Sequence, residues 1–169
     1  MEAQPDRSRP HPDPYVLDHC QRMSVCDLTG VERFIVWAIR WRASRQDDEE
    51  FAEECLRDSF ERAGLSGAQR ALEVFVCSTC PERLSCPASQ RLGCWRLNRI
   101  EAHALHTIAC LQAGLMGEAW QTLRTICPDR RIEPALEALQ ELGDALARMG
   151  AAINRWTRSV PVEAPAAVH

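Results

Sequence analysis

The chain has 169 residues, of which 46% are hydrophobic and 26% are charged, and its formal net charge is −4. This length suffices for one domain with a real core, and the composition is typical of a globular protein, not of a disordered or membrane-spanning one. The acidic balance argues against a surface that coats nucleic acid, and no apolar run reaches the roughly 18 residues of a membrane span.

Both ends of the chain are predicted to be disordered tails. Residues 1–14 contain four prolines among polar groups, and residues 159–169 read SVPVEAPAAVH, compositions that bury too little apolar surface to fold. The first residues show no apolar segment of the kind that a secretory signal needs, so we expect a reducing, cytoplasmic location. Nine cysteines are an odd number, and in a reducing compartment they favour metal binding over disulfides.

Residues 15–158 are predicted to form a helical domain, and its first helix has a clear start. Thr29 and Glu32 have the spacing of a capping box, in which each side chain satisfies a backbone donor of the other. Apolar residues then recur at steps of three and four from Val31 to Ile39, which predicts an amphipathic helix.

The next two helices lead towards the cysteine-rich part of the chain. Acidic residues at 47–50 favour the start of a second helix, and Gly64 is suited to its end. The apolar face of this helix consists of Phe51, Ala52, Cys55, Leu56 and Phe60. Ser66 and Gln69 have the spacing of another capping box, which opens a third helix that leads directly to Cys77.

Three further helices are predicted after the cysteines. The apolar positions of the fourth are Ile100, Ala104, Ile108, Leu111 and Leu115. A break at Gly114–Gly117 separates it from a fifth helix over Glu118–Cys127, so that the two form a helical hairpin. Pro134 is predicted in the first turn of the sixth helix. The apolar stripe of this helix consists of Leu136, Leu139, Leu142, Leu146, Met149, Ile153 and Trp156.

These patterns together define the predicted fold class. No segment shows the period-two alternation of a half-buried strand. We therefore predict an all-α, single-domain bundle of about six helices, with a cysteine-rich metal-binding loop at residues 77–96 between helices three and four.

Four cysteines in that loop are the candidate metal ligands. Cys77, Cys80, Cys86 and Cys94 are separated by two, five and seven residues. Two intervening residues allow the first two sulfurs to converge on one ion from a single turn. Prolines follow two of these cysteines directly, which favours a loop shaped around a bound centre.

The alternative for any cysteine is that it serves as a small buried hydrophobic residue. We adopt this interpretation for the five cysteines outside the loop, namely Cys20, Cys26, Cys55, Cys110 and Cys127. For the four in the loop we favour a metal centre, because cysteines that only fill a core have no reason to gather in an aperiodic segment. Structural zinc sites usually use two short cysteine pairs, whereas one pair with wider gaps favours a [4Fe–4S] cluster, and Zn²⁺ remains the alternative.

The stretch CSTCPERLSC, from Cys77 to Cys86, resembles the C-x2-C-P-x-R-x-x-C core of the WhiB-like proteins, small helical regulators that hold a [4Fe–4S] cluster. The resemblance covers ten to twenty residues and implies a cluster on Cys77, Cys80 and Cys86. In that family the fourth cysteine lies upstream of the pair, which implies Cys26 or Cys55 where the spacing favours Cys94.

A second candidate constellation lies on the fourth helix. His103, His106 and Cys110 are three and four residues apart and share one helix face, where they could bind a metal or lend a ligand to the cluster. The simpler interpretation, two half-buried helix histidines, is preferred. The fourth ligand of the cysteine loop is left open between Cys94 and another residue such as Cys55, Cys110 or His103.

The predicted function follows from the cysteine loop. The sequence has no phosphate-binding loop, nucleophile elbow or other catalytic motif, so an enzyme is not expected. We expect an iron–sulfur protein that responds to redox state, oxygen or iron and acts through a protein partner; nothing supports a nucleic-acid or membrane partner. The alternative is a zinc-stabilised protein-interaction module without redox function.

Overall fold

The computed structural model describes residues 23–44, 49–79 and 95–154. The first element is a short 3-10 helix, Val25–Asp27. The six α-helices that follow are α1 Gly30–Ala43, α2 Glu49–Arg62, α3 Ala68–Thr79, α4 Arg99–Gln112, α5 Met116–Leu123 and α6 Asp129–Arg148. These ranges contain no strand, so the all-α prediction with six helices is confirmed. Both predicted tails and residues 80–94 of the predicted loop lie outside the described residues.

The predicted capping boxes have different outcomes. At the start of α1, Thr29 Oγ1 accepts a hydrogen bond from Glu32 N (3.3 Å) and Glu32 Oε2 accepts one from Thr29 N (2.8 Å), as predicted. The prediction of a capping box at Ser66 and Gln69 is wrong. Because α3 begins at Ala68, the residue before the helix is glycine, and the Gln69 side chain donates to Glu73 (2.8 Å) instead of reaching back.

Aromatic side chains join α1 to α2. The ring of Phe34 lies 5.1 Å from that of Phe60, and Trp41 Nε1 donates to the carbonyl oxygen of Ala52 (2.9 Å). Gly64, with φ +73°, ends the α2 segment as predicted, since a positive φ costs glycine little. Phe51 is exposed, which contradicts its place on the predicted apolar face.

The core lies between α3, α4 and α6. α6 packs most extensively against α3 and then against α4, and α4 also packs closely against α5. The largest fully buried side chains at these contacts are Leu72, Phe75, Leu105, Ile108, Leu139 and Leu142. Burial of apolar side chains at the helical spacing of each segment is the main stabilising term of such a bundle.

The last helix starts and ends earlier than predicted. α6 begins at Asp129, so Pro134 lies inside the helix and not in its first turn; burial of Ile132 in the preceding turn accounts for the earlier start. The helix ends at Arg148. Ile153, which was predicted to lie on the apolar stripe of this helix, belongs instead to the non-helical residues that follow it, and its side chain is buried. Trp156 lies outside the described residues.

These non-helical residues are hydrogen-bonded to the bundle. Ile153 N donates to Gln112 Oε1 (2.9 Å), and Asn154 N donates to Glu32 Oε1 (3.0 Å). Gln112 Nε2 also contacts the carbonyl oxygens of Gly143 and Ala151, each at 3.2 Å. The end of α4 and the start of α1 therefore both hold the chain after α6.

A buried ion pair joins α1 to α4. Arg40, 2% exposed, donates from Nε to Glu101 Oε1 (2.8 Å) and from Nη2 to Glu101 Oε2 (2.9 Å), and Glu101 is fully buried. Asn98 caps α4 and donates to the same carboxylate from its side chain (2.8 Å) and its backbone (3.0 Å). The three residues Arg40, Asn98 and Glu101 form what we call the ion-pair network, in which the carboxylate is satisfied on both oxygens.

Candidate metal-binding sites

Cys77, the first of the four predicted ligands, lies in the last turn of α3 and is exposed. The helix continues to Thr79, whose hydroxyl oxygen is 3.0 Å from the carbonyl oxygen of Val76. Cys77 is therefore helical and not part of an irregular segment. The other three predicted ligands, Cys80, Cys86 and Cys94, lie outside the described residues.

An arginine of α6 contacts the last turn of α3. Arg131 Nη1, from the first turn of α6, donates to the carbonyl oxygen of Cys77 (2.6 Å). A guanidinium at this position is favourable because the last carbonyls of a helix carry partial negative charge. The contact spans 54 residues of sequence, so local patterns could not have predicted it.

The chain after the cysteines is also fixed to the bundle. The carbonyl oxygen of Trp95 accepts a hydrogen bond from Val25 N (2.7 Å), and Ser24 pairs with Arg96 in an isolated antiparallel bridge. Arg40 Nη2 donates to the carbonyl oxygen of Arg96 (2.9 Å). Residues 80–94 are thus flanked on both sides by backbone that is hydrogen-bonded to other elements.

The five cysteines predicted to be small buried hydrophobic residues differ in how far they are buried. Cys110 and Cys127 are buried, which confirms the prediction for them. Burial raises the pKa of the Cys127 thiol to about 11, against an opposing effect of Arg131, so this thiol stays protonated at neutral pH. Cys55 is half-buried, whereas Cys26 is exposed because the 3-10 helix that carries it buries no side chain. Cys20 lies outside the described residues.

A second group of metal-ligating side chains lies between α4 and α5. His106 Nε2 is 3.6 Å from Cys110 Sγ, and this sulfur is 3.8 Å from Glu118 Oε2. The three ligand atoms all lie within 4.8 Å of one another. We call His106, Cys110 and Glu118 the His–Cys–Glu group; Cys110 is buried, His106 half-buried and Glu118 exposed.

The hairpin turn between α4 and α5 produces this group. Gly114 adopts φ +74°, a conformation that favours glycine, and Leu115 N donates back to the carbonyl oxygen of Cys110 (2.8 Å). The turn folds the first residues of α5 over the end of α4, which brings Glu118 to Cys110. His106 and Cys110 were predicted from their spacing on one helix face, whereas Glu118 was not, although the predicted break at Gly114–Gly117 was a signal for it.

His103, the third member of the predicted constellation, does not join the group. Its Nδ1 donates to the carbonyl oxygen of Arg99 (2.6 Å), which leaves Nε2 as a buried nitrogen without a hydrogen-bond partner. The pKa of His103 is lowered to about 4: burial is the largest cause, the hydrogen bond to the Arg99 carbonyl opposes it, and the positive charges of Arg99 and His106 act in the same direction as burial. His103 is therefore a neutral core histidine at pH 7. The simpler interpretation predicted two half-buried histidines, which holds for His106, whereas His103 is fully buried.

Comparisons with protein-family models, with curated proteins and with solved structures returned no match to this chain. The likeness of Cys77–Cys86 to the WhiB-like core stays a prediction from the sequence. Within the described ranges, no helix combines the length and the apolar character needed to cross a membrane.

Proposed function

We propose that the protein is a small cytoplasmic regulator that holds a [4Fe–4S] cluster on Cys77, Cys80, Cys86 and Cys94 and acts through a protein partner. The observation that carries this proposal is the spacing of the four cysteines in the sequence, one short pair followed by wider gaps. Thiolate sulfur is the ligand that iron–sulfur clusters use, and uneven gaps suit a centre with several metal corners.

The described residues on either side of the cysteines support this function. Cys77 is exposed at the end of α3, so its sulfur is accessible to a centre outside the core. Arg131 of α6 donates to the backbone carbonyl oxygen of Cys77 and so ties this turn to another helix. Trp95 is 57% exposed, with the Arg96 guanidinium 4.5 Å from its ring centre. An exposed tryptophan and arginine are typical of a protein-binding surface.

The packing of α3 indicates how loss of the centre would be sensed. The centre would be lost when iron is scarce, or when dioxygen takes an electron from it and is reduced to superoxide. The end of α3 would then lose its inorganic anchor and keep the Arg131 contact to α6. The contact between α3 and α6 is the most extensive of any helix pair in the described ranges. A shift of the end of α3 would therefore alter the packing and the surface of α6.

Anaerobic purification tests the proposal directly. A brown protein that contains about four iron and four sulfide per chain is expected, with visible absorption that bleaches in air. A colourless protein with one zinc per chain, which Cys77→Ser loses, would select the zinc-stabilised interaction module instead. If neither metal is bound at these residues, the proposal is wrong.

Single serine variants identify the fourth ligand. Cys77→Ser, Cys80→Ser and Cys86→Ser should each abolish the iron content. Cys94→Ser should do the same, and Cys26→Ser and Cys55→Ser, the upstream positions that the WhiB-like resemblance implies, serve as its matched comparison. Loss of iron in Cys26→Ser or Cys55→Ser but not in Cys94→Ser would overturn the assignment of Cys94.

A further inference from the structure

We propose that the His–Cys–Glu group is a second metal site, independent of the cysteine loop, that binds a divalent transition-metal ion such as Zn²⁺. Its ligands come from the end of α4 (His106 and Cys110) and from the first turn of α5 (Glu118). None of the three belongs to the cysteine segment, so this site neither requires nor excludes a cluster there.

The two distances from the Cys110 sulfur are close to those between ligand atoms around a tetrahedral ion. With Zn–S bonds of about 2.3 Å and Zn–N bonds of about 2.0 Å, a tetrahedral angle separates the sulfur and nitrogen by about 3.5 Å. The observed separation of Cys110 Sγ from His106 Nε2 is 3.6 Å, and that from Glu118 Oε2 is 3.8 Å. An ion therefore fits between these atoms with small rotations of the exposed Glu118 side chain.

The ligand chemistry selects the class of ion. Imidazole nitrogen and thiolate sulfur favour Zn²⁺ and its neighbours in the first transition row, whereas Mg²⁺ and Ca²⁺ prefer oxygen ligands. Three protein ligands leave a fourth position. Because the group runs from the buried Cys110 to the exposed Glu118, that position is on the solvent side and suits a water molecule or a small ligand.

A bound ion would cross-link two helices that already pack closely against each other. His106 and Cys110 are one helical turn apart on α4, and Glu118 is the third residue of α5. Ion binding would thus stabilise the α4–α5 hairpin, because a ligand that binds only the folded chain raises its stability. The competing explanation is a weak S–H hydrogen bond from Cys110 to Glu118 with no ion.

Cobalt titration of the full-length protein distinguishes these explanations. Co²⁺ should bind with a stoichiometry of one at this site, with thiolate-to-metal charge-transfer absorption and the intense visible bands of tetrahedral cobalt, and Zn²⁺ should displace it. To separate this site from the cysteine loop, the titration is repeated on full-length protein with serine at Cys77, Cys80, Cys86 and Cys94. The cobalt spectrum should persist in that variant even though any cluster is lost.

Variants of the group complete the test. Glu118→Gln, a change at an exposed position that keeps the shape of the side chain, should weaken Co²⁺ binding at least about tenfold. Cys110→Ser should abolish the charge-transfer absorption. Glu137→Gln, at another exposed glutamate of the bundle, is the matched control and should leave binding unchanged. At 100-fold excess over the wild-type Kd, Zn²⁺ should raise the Tm by about 5–10 °C in the wild type and by no more than about half as much in Glu118→Gln.

Two results would overturn the proposal. One is a cobalt spectrum that disappears when the four loop cysteines are replaced, in a variant that still shows helical circular dichroism. The other is equal Co²⁺ affinity in Glu118→Gln and the wild type. Either would leave a sulfur–carboxylate hydrogen bond as the whole role of the group.

Discussion

The two polar clusters of α4 differ in how closely their atoms approach. In the ion-pair network at the start of the helix, nitrogen–oxygen distances of 2.8–2.9 Å join Arg40 to Glu101, and both residues are almost fully buried. In the His–Cys–Glu group near its end, the corresponding contacts are 3.6 and 3.8 Å, and the group reaches solvent.

This difference separates two uses of polar residues on one helix. The ion-pair network is complete without any added ligand, because each carboxylate oxygen accepts at least two hydrogen bonds from protein groups. In the His–Cys–Glu group, the separations of 3.6 and 3.8 Å from the Cys110 sulfur suit either long sulfur hydrogen bonds or an inserted ion. We therefore expect the first cluster to determine stability and the second to determine binding.

The largest expected effect is that of breaking the ion-pair network. Arg40→Ala should lower the free energy of unfolding by about 3–5 kcal/mol, because it leaves the Glu101 carboxylate buried without its counter-charge. Equilibrium unfolding in urea measures the change. Arg57→Ala is the matched control, since Arg57 pairs with Glu54 at 3.7 Å but the two side chains are 53% and 62% exposed. Its cost should stay below about 0.5 kcal/mol. Equal costs for the two variants would contradict the assigned role of the network.

A smaller effect is expected from the pH dependence of His103, which lies between the two clusters. Its pKa is about 4 in the folded protein and 6.5 ordinarily, so the unfolded chain takes up a proton first as the pH falls. The stability that this residue contributes is complete above pH 6.5, decreases as the pH falls towards 4, and does not change further below that. The total loss is about 3 kcal/mol.

Unfolding measured at several pH values between 7 and 4, with a chelator present to keep metal sites empty, tests this prediction. His103→Gln removes the titrating group and should show a shallower decrease in stability over the same range. A decrease of the same steepness in the variant would mean that His103 does not cause the pH dependence.

The face of α6 that packs on α4 should respond to substitution in the opposite direction. An added Cβ at Gly143 would lie 3.5 Å from Ile108 Cγ2 and 3.8 Å from Gln112 Cγ, which are ordinary packing distances. Gly143→Ala should therefore stabilise the protein by about 0.5–1 kcal/mol, because alanine is the better helix former. A rise in Tm is the expected readout, and a fall would show that the α4–α6 interface has no room for a methyl group.

The smallest effect is expected from removing the Glu118 carboxylate of the His–Cys–Glu group. Without metal, Glu118→Gln should change the free energy of unfolding by less than about 0.5 kcal/mol, because the carboxylate is exposed and its contact to Cys110 is long. The measurement is urea unfolding in the presence of a chelator. A loss above about 1 kcal/mol would show that the group stabilises the hairpin by itself, as the ion-pair network stabilises the contact between α1 and α4.

Local signals explain how much of the fold the sequence predicted. The helical periodicity gave all six helices, and Thr29 and Gly64 marked a start and a stop correctly, because capping and positive-φ glycine act within one turn. Asn98 and Glu101 also have the spacing of a capping box and form one in the structure, but the start of α4 was not predicted from them. The bounds of α6 were wrong because burial of Ile132 and Ile153 depends on tertiary packing.

The candidate sites were predictable only where their members share one helix. His106 and Cys110 lie four residues apart on α4, so their spacing indicated that they meet. The contacts of Arg40 with Glu101 and of Arg131 with Cys77 span 61 and 54 residues. Such pairings depend on how helices pack, and no periodicity in a single segment reports that.

The hydrogen bonds that hold the chain after α6 set the size of the smallest fragment that should fold by itself. Ile153 fills part of the core, and the backbone nitrogens of Ile153 and Asn154 satisfy Gln112 and Glu32. A shortened chain that stopped at Arg148 would uncover that part of the core and remove one backbone donor each from the buried Glu32 and the half-buried Gln112. Truncated versions for crystallisation or partner screening should therefore retain every residue through Asn154.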